Sequence, residues 1–337
     1  MNLDDFDPDD PGGDSLFGLP HTADEAAVIV IPVPWDATTS YRQGTASAPT
    51  NVLEASGQLD LFDLQTGEAW REGIVMDPVD PQVQAWSEQA SAAVAIARNS
   101  EGKARDAAAE EADACAEALA TWLHARVKEL LAAGKTPAVL GGDHSVPLGA
   151  ITAAAAAVPG LGILHVDAHL DLRVAYEGFT QSHASILYNA LQRAPGLGNI
   201  AQVGIRDIGR REWATVEQEP RLHLFSDPML TDELSAGTAW DALVERILAP
   251  LPTDVWITLD IDGLDPSLCP TTGTPVPGGL SWAQITTLLA ALARSGRRIV
   301  GFDLVEVGPG PWDAIVGARL LYKLATWAIT TRSAPTT

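Results

Sequence analysis

Short apolar runs alternate along the chain with longer helical patterns. Seven of these runs are predicted to be strands, and several are continuous in hydrophobicity, as in parallel strands that are covered on both faces. Two longer stretches, residues 106–135 and 281–296, predict helices because they are rich in helix formers and end near a glycine. The predicted strands span residues 26–33, 136–141, 161–167, 200–205, 221–226, 254–262 and 297–307.

This βαβ alternation predicts a three-layer α/β fold, with a doubly wound, mostly parallel sheet and helices on both faces. We assign the single domain to residues 21–332, with a possible helical insertion at 79–115, where the strand signal is weaker. The acidic residues 1–20 contain proline and glycine and are predicted to form a flexible arm. In such a fold, ligands bind beyond the carboxyl ends of the strands.

Composition narrows the class of protein. The 337 residues are 46% hydrophobic, so a large core can form, and 44 acidic against 21 basic residues give a formal charge of -23. That charge argues against nucleic acid as a partner. Two cysteines provide no disulfide framework, and we find no signal peptide or apolar stretch of membrane-spanning length, so we expect a cytoplasmic protein with no membrane partner.

Ligating side chains follow several of the predicted strands. The segment "HVDAHLDLR" (165–173) has Asp167, His169 and Asp171 at every second position, which places them on one side of the chain if the backbone stays extended. Asp260 and Asp262 in "LDIDGLDP" repeat this spacing. Burying so many acidic groups without counter-charge would be very costly, and a pair of divalent cations is the natural compensation.

The ligand types indicate which ion is preferred. His144 in "GGDHS" adds an imidazole, after two glycines that allow a sharp turn at the strand end. Carboxylates and imidazoles without a thiolate favour a hard or borderline ion such as Mn²⁺, with Ni²⁺ and Co²⁺ still possible. Each motif alone has a simpler interpretation, such as a cap or an Asx-turn. Three strand ends with complementary ligands favour the metal site.

Four ordered motifs make the chain similar to a known family. The segments "GGDHS", "DAHLD", "LDIDGLDPSLCPTTGTPVPGG" and "DLVEVGP" resemble the ureohydrolases, which comprise arginases, agmatinases, guanidinobutyrases and formimidoylglutamases. The resemblance runs from about residue 28 to about residue 330 and includes "SYRQGTASAP" (40–49) and "WDAIVGARLLYKL" (312–324). The segments "GTPVPGG" and "VGARLLYKL" look most like the agmatinase branch.

The resemblance implies a binuclear manganese site in an arginase-like fold. One ion would be held by His144, Asp167, Asp171 and Asp260, and the other by Asp167, His169, Asp260 and Asp262. It also implies that Asp171 hydrogen-bonds the attacking water and that Glu306 pairs with the guanidinium group of the substrate. His183 matches a proton-shuttling histidine, although Ala184 follows it where the family usually has glycine. Homotrimers or homohexamers are the implied assemblies.

The implied reaction is hydrolysis of a guanidino C–N bond to urea and an amine, with agmatine as the expected substrate and putrescine as the product. Arg173 leaves this choice open, because "DAHLDLR" resembles formimidoylglutamases, whose substrate carries carboxylates. Arg173 would repel a dicationic substrate if it faced the pocket, or could turn away and pair with Glu177 or another acid. Formimidoylglutamate, arginine, guanidinobutyrate and simple guanidines stay open, as does a non-catalytic metal-binding relative.

Overall fold

The computed structural model describes residues 6–9 and 12–332. Within these residues, eight parallel strands form one sheet in the order β2-β1-β3-β8-β7-β4-β5-β6. The strands are β1 (Val28–Val33), β2 (Ile74–Met76), β3 (Thr136–Gly141), β4 (Gly162–Val166), β5 (Ile200–Val203), β6 (Leu222–Phe225), β7 (Asp254–Asp260) and β8 (Arg298–Val305).

Ten helices connect and cover these strands in the described part of the chain. Their starts follow ordinary capping chemistry: Ser281 and Gln284 form a capping box at the start of α9, and Asp80 caps α2 ahead of Pro81. The helices are α1 (Ala48–Ser56), α2 (Pro81–Arg98), α3 (Gly102–Ala132), α4 (Leu148–Ala157), α5 (Ile186–Arg193), α6 (Arg210–Gln218), α7 (Asp227–Ser235), α8 (Trp240–Leu248), α9 (Trp282–Arg294) and α10 (Pro311–Thr331).

The sheet is covered on both faces. Along β1, Val28 and Val30 pack into a core that contains residues of α1, α8, α9 and α10, whereas Ile29 and Ile31 pack into a core with residues of α2, α3, α4 and α5. Successive side chains of a strand point to opposite faces, so a strand buried on both sides must be apolar throughout. This explains the continuous hydrophobic runs and confirms the predicted three-layer α/β fold.

The structure corrects several of the predicted boundaries. All seven predicted strands are present, but β2 was missed, since it has only three residues. The strand predicted at 254–262 ends at Asp260, and Ile261–Gly263 form a 3-10 turn. Residues 79–115 contain α2 and the first part of α3; that they are an insertion stays a prediction.

The predicted N-terminal arm is too long. Leu16, Phe17 and Leu19 are buried in the core with α1 and α10, so the prediction is wrong for this part. Residues 1–5 and 10–11 of the predicted arm lie outside the described residues. None of the helices among residues 6–9 and 12–332 has both the length and the apolar character needed to cross a membrane.

Candidate active site

Four adjacent strands at the centre of the sheet bring the ligating groups together. The order β3-β8-β7-β4 places their carboxyl ends side by side, where α/β folds bind ligands. His144 follows β3, and Glu306 follows β8 directly. The sequence after β4 contributes Asp167, His169 and Asp171, and the end of β7 contributes Asp260 and Asp262.

The first group of ligating atoms surrounds the His144 ring. Its Nδ1 atom lies 2.9 Å from Asp167 Oδ2, 3.1 Å from Asp171 Oδ2 and 3.4 Å from Asp260 Oδ2. All four side chains are buried. These are the four residues that the resemblance assigns to one ion, and the structure brings them together.

A second group lies beside the first. His169 Nδ1 is 3.4 Å from Asp167 Oδ1 and 3.3 Å from Asp262 Oδ2. The two oxygens of Asp167 thus face the two groups, as a bridging carboxylate requires. Asp260 lies with His144, and its other oxygen accepts a hydrogen bond from the Asp262 backbone N–H at 2.8 Å. A bridging role for Asp260 therefore stays a prediction.

An extended backbone does not produce this convergence, so that part of the sequence argument is wrong. Strand β4 ends at Val166, and Asp171 adopts a left-handed backbone conformation with φ of 54°. Instead, the backbone N–H of His169 donates to Asp167 Oδ1 at 2.6 Å, and that of Ala168 donates to Asp262 Oδ1 at 3.0 Å. Hydrogen bonds to the carboxylates of Asp167 and Asp262 thus stabilise the turn that orients the side chains of this segment.

The carboxylates of this cluster repel one another, and the neighbouring imidazoles attract them. Burial and the charge of Asp167 raise the pKa of Asp171 to about 7, and burial and Asp262 raise the pKa of Asp260 well above its usual value. Burial alone would lower the pKa of His169, but Asp262 and Asp167 outweigh it and raise that pKa to about 12. Three carboxylates, those of Asp167, Asp171 and Asp262, cluster with imidazoles that include His144 and His169, and Asp260 Oδ2 lies 3.4 Å from His144 Nδ1. This set of oxygen and imidazole donors, with no thiolate, fits divalent ions.

His165 lies next to this donor set and acts as a hydrogen-bonding partner of one ligand. Gln202 Nε2 donates to the Leu170 carbonyl at 3.1 Å, which fixes the orientation of the amide, and also lies 3.1 Å from His165 Nδ1. Nδ1 of His165 is therefore an acceptor, and the neutral ring holds its proton on Nε2, 2.9 Å from Asp167 Oδ2. A protonated nitrogen cannot bind a metal, so His165 orients Asp167.

A second chain of hydrogen bonds orients His144. Thr258 Oγ1 donates to Asp303 Oδ1 at 2.8 Å and lies 2.9 Å from His144 Nε2, which must then be the donor. Trp256 Nε1 donates to the other oxygen of Asp303 at 2.6 Å. This arrangement leaves the lone pair of His144 Nδ1 available to a cation. Asp303 lies within the quoted "DLVEVGP" motif, but the sequence argument gave it no role.

Glu306 presents an unpaired carboxylate oxygen to the site. Its Oε1 accepts from the His144 backbone N–H at 3.1 Å, whereas its buried Oε2 has no hydrogen-bond partner in the part of the chain that the structure describes. The residue has a left-handed φ of 61°, and a Cβ on Gly273 would lie only 2.8 Å from Oε2. The missing side chain at Gly273 therefore makes room for this oxygen.

These groups line a cavity of about 260 Å³. Its floor includes His144, His169, Asp171, Asp260 and Glu306. We call Arg173, Asp207 and Glu212 the mouth, since Arg173 and Asp207 are exposed. The remaining wall includes Tyr41, Tyr176, His183, Thr274, Pro275 and Val276.

His183 is half-buried in the wall of the cavity. Its Nδ1 lies 3.3 Å from Thr38 Oγ1, and its ring meets Tyr176 edge-on at a centroid distance of 5.5 Å. Burial and the positive charge of His169 lower the pKa of His183 to about 3, so its imidazole is neutral at physiological pH. The structure therefore places this predicted catalytic residue beside the predicted ligands.

Arg173 lines the mouth of the cavity, but its charge is partly offset. Its Nε lies 3.5 Å from Glu212 Oε2, and its guanidinium lies 4.6 Å over the ring of Tyr176. Glu177, the acid named as a partner from the sequence, pairs with Arg98 at 2.7 Å instead. Arg173 thus faces the cavity and also pairs with an acid, which is Glu212 rather than Glu177.

The sequence argument missed two acidic residues of the mouth. Glu212 is buried and accepts hydrogen bonds from the backbone N–H groups of Leu172 and Gly209, each at 3.1 Å. Asp207 is exposed, and no hydrogen bond or ion pair joins its side chain to another described residue. A glutamate three residues after Gly209, at the start of α6, was the one available signal, since it is typical of a helix N-terminus.

The α/β fold and this carboxylate–imidazole cluster define a metal-dependent hydrolase. Residues 26–326 match the model of the arginase family. The chain is 36% identical over 312 residues to an N(1)-aminopropylagmatine ureohydrolase of Thermus thermophilus, covering 91% of this chain and 92% of that protein. The chain therefore belongs to the arginase family and is a metal-dependent ureohydrolase, as predicted.

Further relatives agree with this assignment. An agmatinase of Bacillus anthracis is 29% identical over 287 residues, with 85% of each protein covered. The structure of the agmatine ureohydrolase of Thermoplasma volcanium has a TM-score of 0.71 at 25% identity and covers 95% of both chains. Proclavaminate amidino hydrolase from Streptomyces clavuligerus shares the fold, with a TM-score of 0.72 at 21% identity, covering 96% of this chain and 100% of that one.

Proposed function

We propose that this protein is a dimanganese hydrolase that cleaves the guanidino C–N bond of agmatine to give urea and putrescine. The observation that carries the proposal is the buried Oε2 of Glu306, which has no partner among the described residues and borders the cavity beside the metal-type cluster. A carboxylate in this position suits the planar N–H donors of a guanidinium. The Mn²⁺ assignment rests on a donor set of oxygen and imidazole nitrogen.

Three residues have catalytic roles in this proposal. When bound, the two cations would lower the pKa of a water molecule and so supply the nucleophile. Asp171 would accept a hydrogen bond from that water and align it with the guanidinium carbon held by Glu306. His183 would carry a proton to the nitrogen that leaves as an amine, which completes the addition of water across the broken C–N bond.

The charges at the mouth support a substrate with a cationic tail. Two carboxylates, Asp207 and Glu212, line the cavity there against one guanidinium, that of Arg173. Arg173 lies 3.5 Å from Glu212, whereas Asp207 has no partner within the described residues. A tail ammonium would therefore meet a net negative field, and a tail carboxylate would be repelled by Asp207. This argument favours agmatine over formimidoylglutamate and guanidinobutyrate.

N(1)-aminopropylagmatine is the second candidate substrate. The 36% identity to the Thermus thermophilus protein favours it, as does the exposed position of Asp207, which would be within reach of an extended tail. Both candidates have the same guanidinium and differ in the number of tail nitrogens. Both are therefore expected to place the guanidinium at the floor of the cavity. Comparing kcat/KM for the two compounds would show which one is preferred.

The test is a panel of guanidino and formimino compounds incubated with the purified protein and Mn²⁺, Ni²⁺ or Co²⁺. Release of urea or formamide is measured. We expect agmatine or aminopropylagmatine to have a kcat/KM at least about a hundredfold above that of guanidinobutyrate, formimidoylglutamate or arginine. Turnover restricted to the carboxylate-bearing compounds would overturn the substrate assignment.

Metal removal tests the chemistry separately. Chelation should abolish urea release, and added Mn²⁺ should restore it. A protein that binds Mn²⁺ at two sites but hydrolyses none of these compounds would be a non-catalytic relative. A protein that binds no divalent ion would contradict the metal assignment itself. We also propose a cytoplasmic homotrimer or homohexamer, on the resemblance alone; light scattering would measure its mass.

A further inference from the structure

The hydroxyl group of Thr38 lies between two polar side chains that come from different parts of the chain. Its Oγ1 is 3.0 Å from Asp143 Oδ2 and 3.3 Å from His183 Nδ1, and it accepts a hydrogen bond from the His183 backbone N–H at 3.1 Å. Thr38 is 4% exposed and Asp143 is fully buried. Water therefore has little access to this arrangement, and the hydrogen bonds must be satisfied within the protein.

The direction of each hydrogen bond follows from counting protons. Asp143 Oδ2 accepts from the Thr38 backbone N–H at 3.2 Å, and Oδ1 accepts from the Ser145 backbone N–H at 3.0 Å. As an ionised carboxylate Asp143 has acceptors only, so the single hydroxyl proton of Thr38 points to Asp143. The hydroxyl oxygen has only lone pairs left for His183, and Nδ1 of that ring must then be a donor.

We propose that Thr38 is a positioning residue that selects the tautomer of His183, with the proton on Nδ1 and a free lone pair on Nε2 in the active-site cavity. His183 lines the cavity, and none of the hydrogen bonds within residues 6–9 and 12–332 involves its Nε2. The inference rests on the proposed function, in which His183 moves a proton during hydrolysis.

The tautomer matters for the chemistry because only an unprotonated nitrogen can take up a proton. Nε2 can accept the proton released when water adds to the guanidinium carbon, and then return it to the leaving nitrogen as the C–N bond breaks. The opposite tautomer would already hold a proton on Nε2 and would direct a lone pair at Thr38. It could not begin this sequence, and a wrong tautomer is known to be costly in histidine-dependent catalysis.

The position of Thr38 is itself fixed from outside the site. Arg98, near the end of α2, donates through Nη2 to the carbonyl groups of Thr38 and Thr39, each at 3.1 Å. Its Nε donates to Glu177 Oε2 at 2.9 Å. Arg98 thus ties the Thr38 loop to the loop that contains Tyr176, which packs edge-on against His183.

The test compares Thr38→Val with Thr38→Ser and with a matched control, Thr39→Val. Valine has the shape of threonine without the hydroxyl, and serine restores the hydroxyl. Thr39 is the neighbouring buried threonine, and its Oγ1 has no hydrogen-bond partner among the described residues, so its removal should change little. Long-range ¹H–¹⁵N spectra of the full chain, with and without the diamagnetic ion Zn²⁺, report the tautomer, and His183→Asn identifies the signals.

We expect His183 to have its proton on Nδ1 in the wild type, Thr38→Ser and Thr39→Val, and to shift towards the Nε2–H form in Thr38→Val. The kcat for the guanidino substrate should fall at least about tenfold in Thr38→Val, with KM within about twofold, and recover in Thr38→Ser.

A wild-type ring protonated on Nε2, or an unchanged tautomer in Thr38→Val, would overturn the inference. So would an unchanged kcat in that variant. If the wild type hydrolyses no guanidino compound, the proposed function fails, while the spectra still decide the tautomer. If Thr38→Val does not fold, Thr38→Ala, which also removes the hydroxyl, replaces it with the same expected shift, and a wild-type ring protonated on Nε2 would by itself overturn the inference.

Discussion

The floor and the mouth of the cavity are built on different physical principles. The floor comes from the carboxyl ends of four central strands, and ligating atoms such as His144 Nδ1 and Asp167 Oδ2 lie 2.9 Å apart in a buried cluster. The mouth comes from loops and the start of α6, and its ion pair between Arg173 and the buried Glu212 is longer, at 3.5 Å, with Arg173 43% exposed. The metal-type cluster is thus built on the sheet, whereas the proposed binding region for the substrate tail includes the exposed Arg173 and Asp207.

This difference predicts the size of mutational effects. Removing one partner from a buried set of charges leaves the others uncompensated and typically costs about 3–5 kcal/mol. Exposed charges are screened by water and salt, and each contributes about 1 kcal/mol or less. We therefore expect effects on activity to decrease steadily from the floor to the mouth.

The largest effect should come from Asp260→Asn. Asp260 is buried, its Oδ2 lies 3.4 Å from His144 Nδ1, and an amide there would bind a cation much less strongly. We expect metal content and kcat/KM to fall together, with kcat/KM reduced about a thousandfold. Elemental analysis and urea release measure the two quantities.

Asp265→Asn is the matched control for this change. Asp265 lies in the same segment, but its carboxylate accepts from the Ser267 backbone N–H at 2.8 Å and, unlike that of Asp260, does not line the cavity. The control should retain both metal and activity. Two fully occupied metal sites in Asp260→Asn would show that Asp260 does not bridge the ions.

Glu306→Gln should separate substrate binding from metal binding within the floor. Its unpaired Oε2 is expected to accept a charge-assisted hydrogen bond from the guanidinium, which is worth about 1.5–3 kcal/mol. We expect kcat/KM to fall about a hundredfold, while elemental analysis still finds the wild-type metal content. A parallel loss of metal would mean that Glu306 supports the cluster rather than the substrate.

The sequence predicted the sheet well because strands buried on both faces must be apolar throughout. The seven runs it identified are all strands, whereas Ile74–Met76 is too short to give a signal. The grouping of these side chains was predictable because three strand ends have complementary carboxylates and imidazoles, although each motif alone could be a cap or an Asx-turn. The local backbone geometry was not predictable. Acidic residues at every second position indicate neither the left-handed backbone of Asp171 nor the turn at Asp262.

Contacts that extend outside the strand-end motifs, between loops distant in sequence, were not predicted. Thr38 meets His183 across 145 positions in sequence and Asp143 across 105, and no local pattern encodes such pairings. Arg173 illustrates the same limit, because nearby Glu177 was a plausible partner but Arg98 occupies it. The folded chain instead brings Glu212 to Arg173. Substrate specificity is therefore the part of the proposed function that is hardest to predict from the sequence.

At the mouth, Asp207→Asn should affect binding of the substrate tail alone. Asp207 has no side-chain partner in the described part of the chain, so its replacement leaves no internal charge unpaired. We expect KM for agmatine to rise about threefold to fivefold with kcat unchanged, which is the range for an exposed ion pair. Asp232→Asn, on α7 and not lining the cavity, makes the same change in net charge and should leave KM unaltered.

The smallest effect on kinetics should come from Arg173→Gln. The direction of this effect distinguishes substrates with a cationic tail from substrates with a carboxylate. Because Glu212 already offsets the guanidinium, removing Arg173 should lower KM for agmatine by no more than about twofold. The matched control is Arg193→Gln on α5, whose guanidinium pairs with Glu117 at 2.7 Å away from the cavity. A tenfold loss of kcat/KM in Arg173→Gln, confined to a carboxylate-bearing substrate, would instead make Arg173 the ligand of that carboxylate. The mouth would then bind anionic tails despite its two acidic residues. The proposed role of the floor in metal binding would be unaffected, but the proposed preference of the mouth for a cationic tail would be wrong.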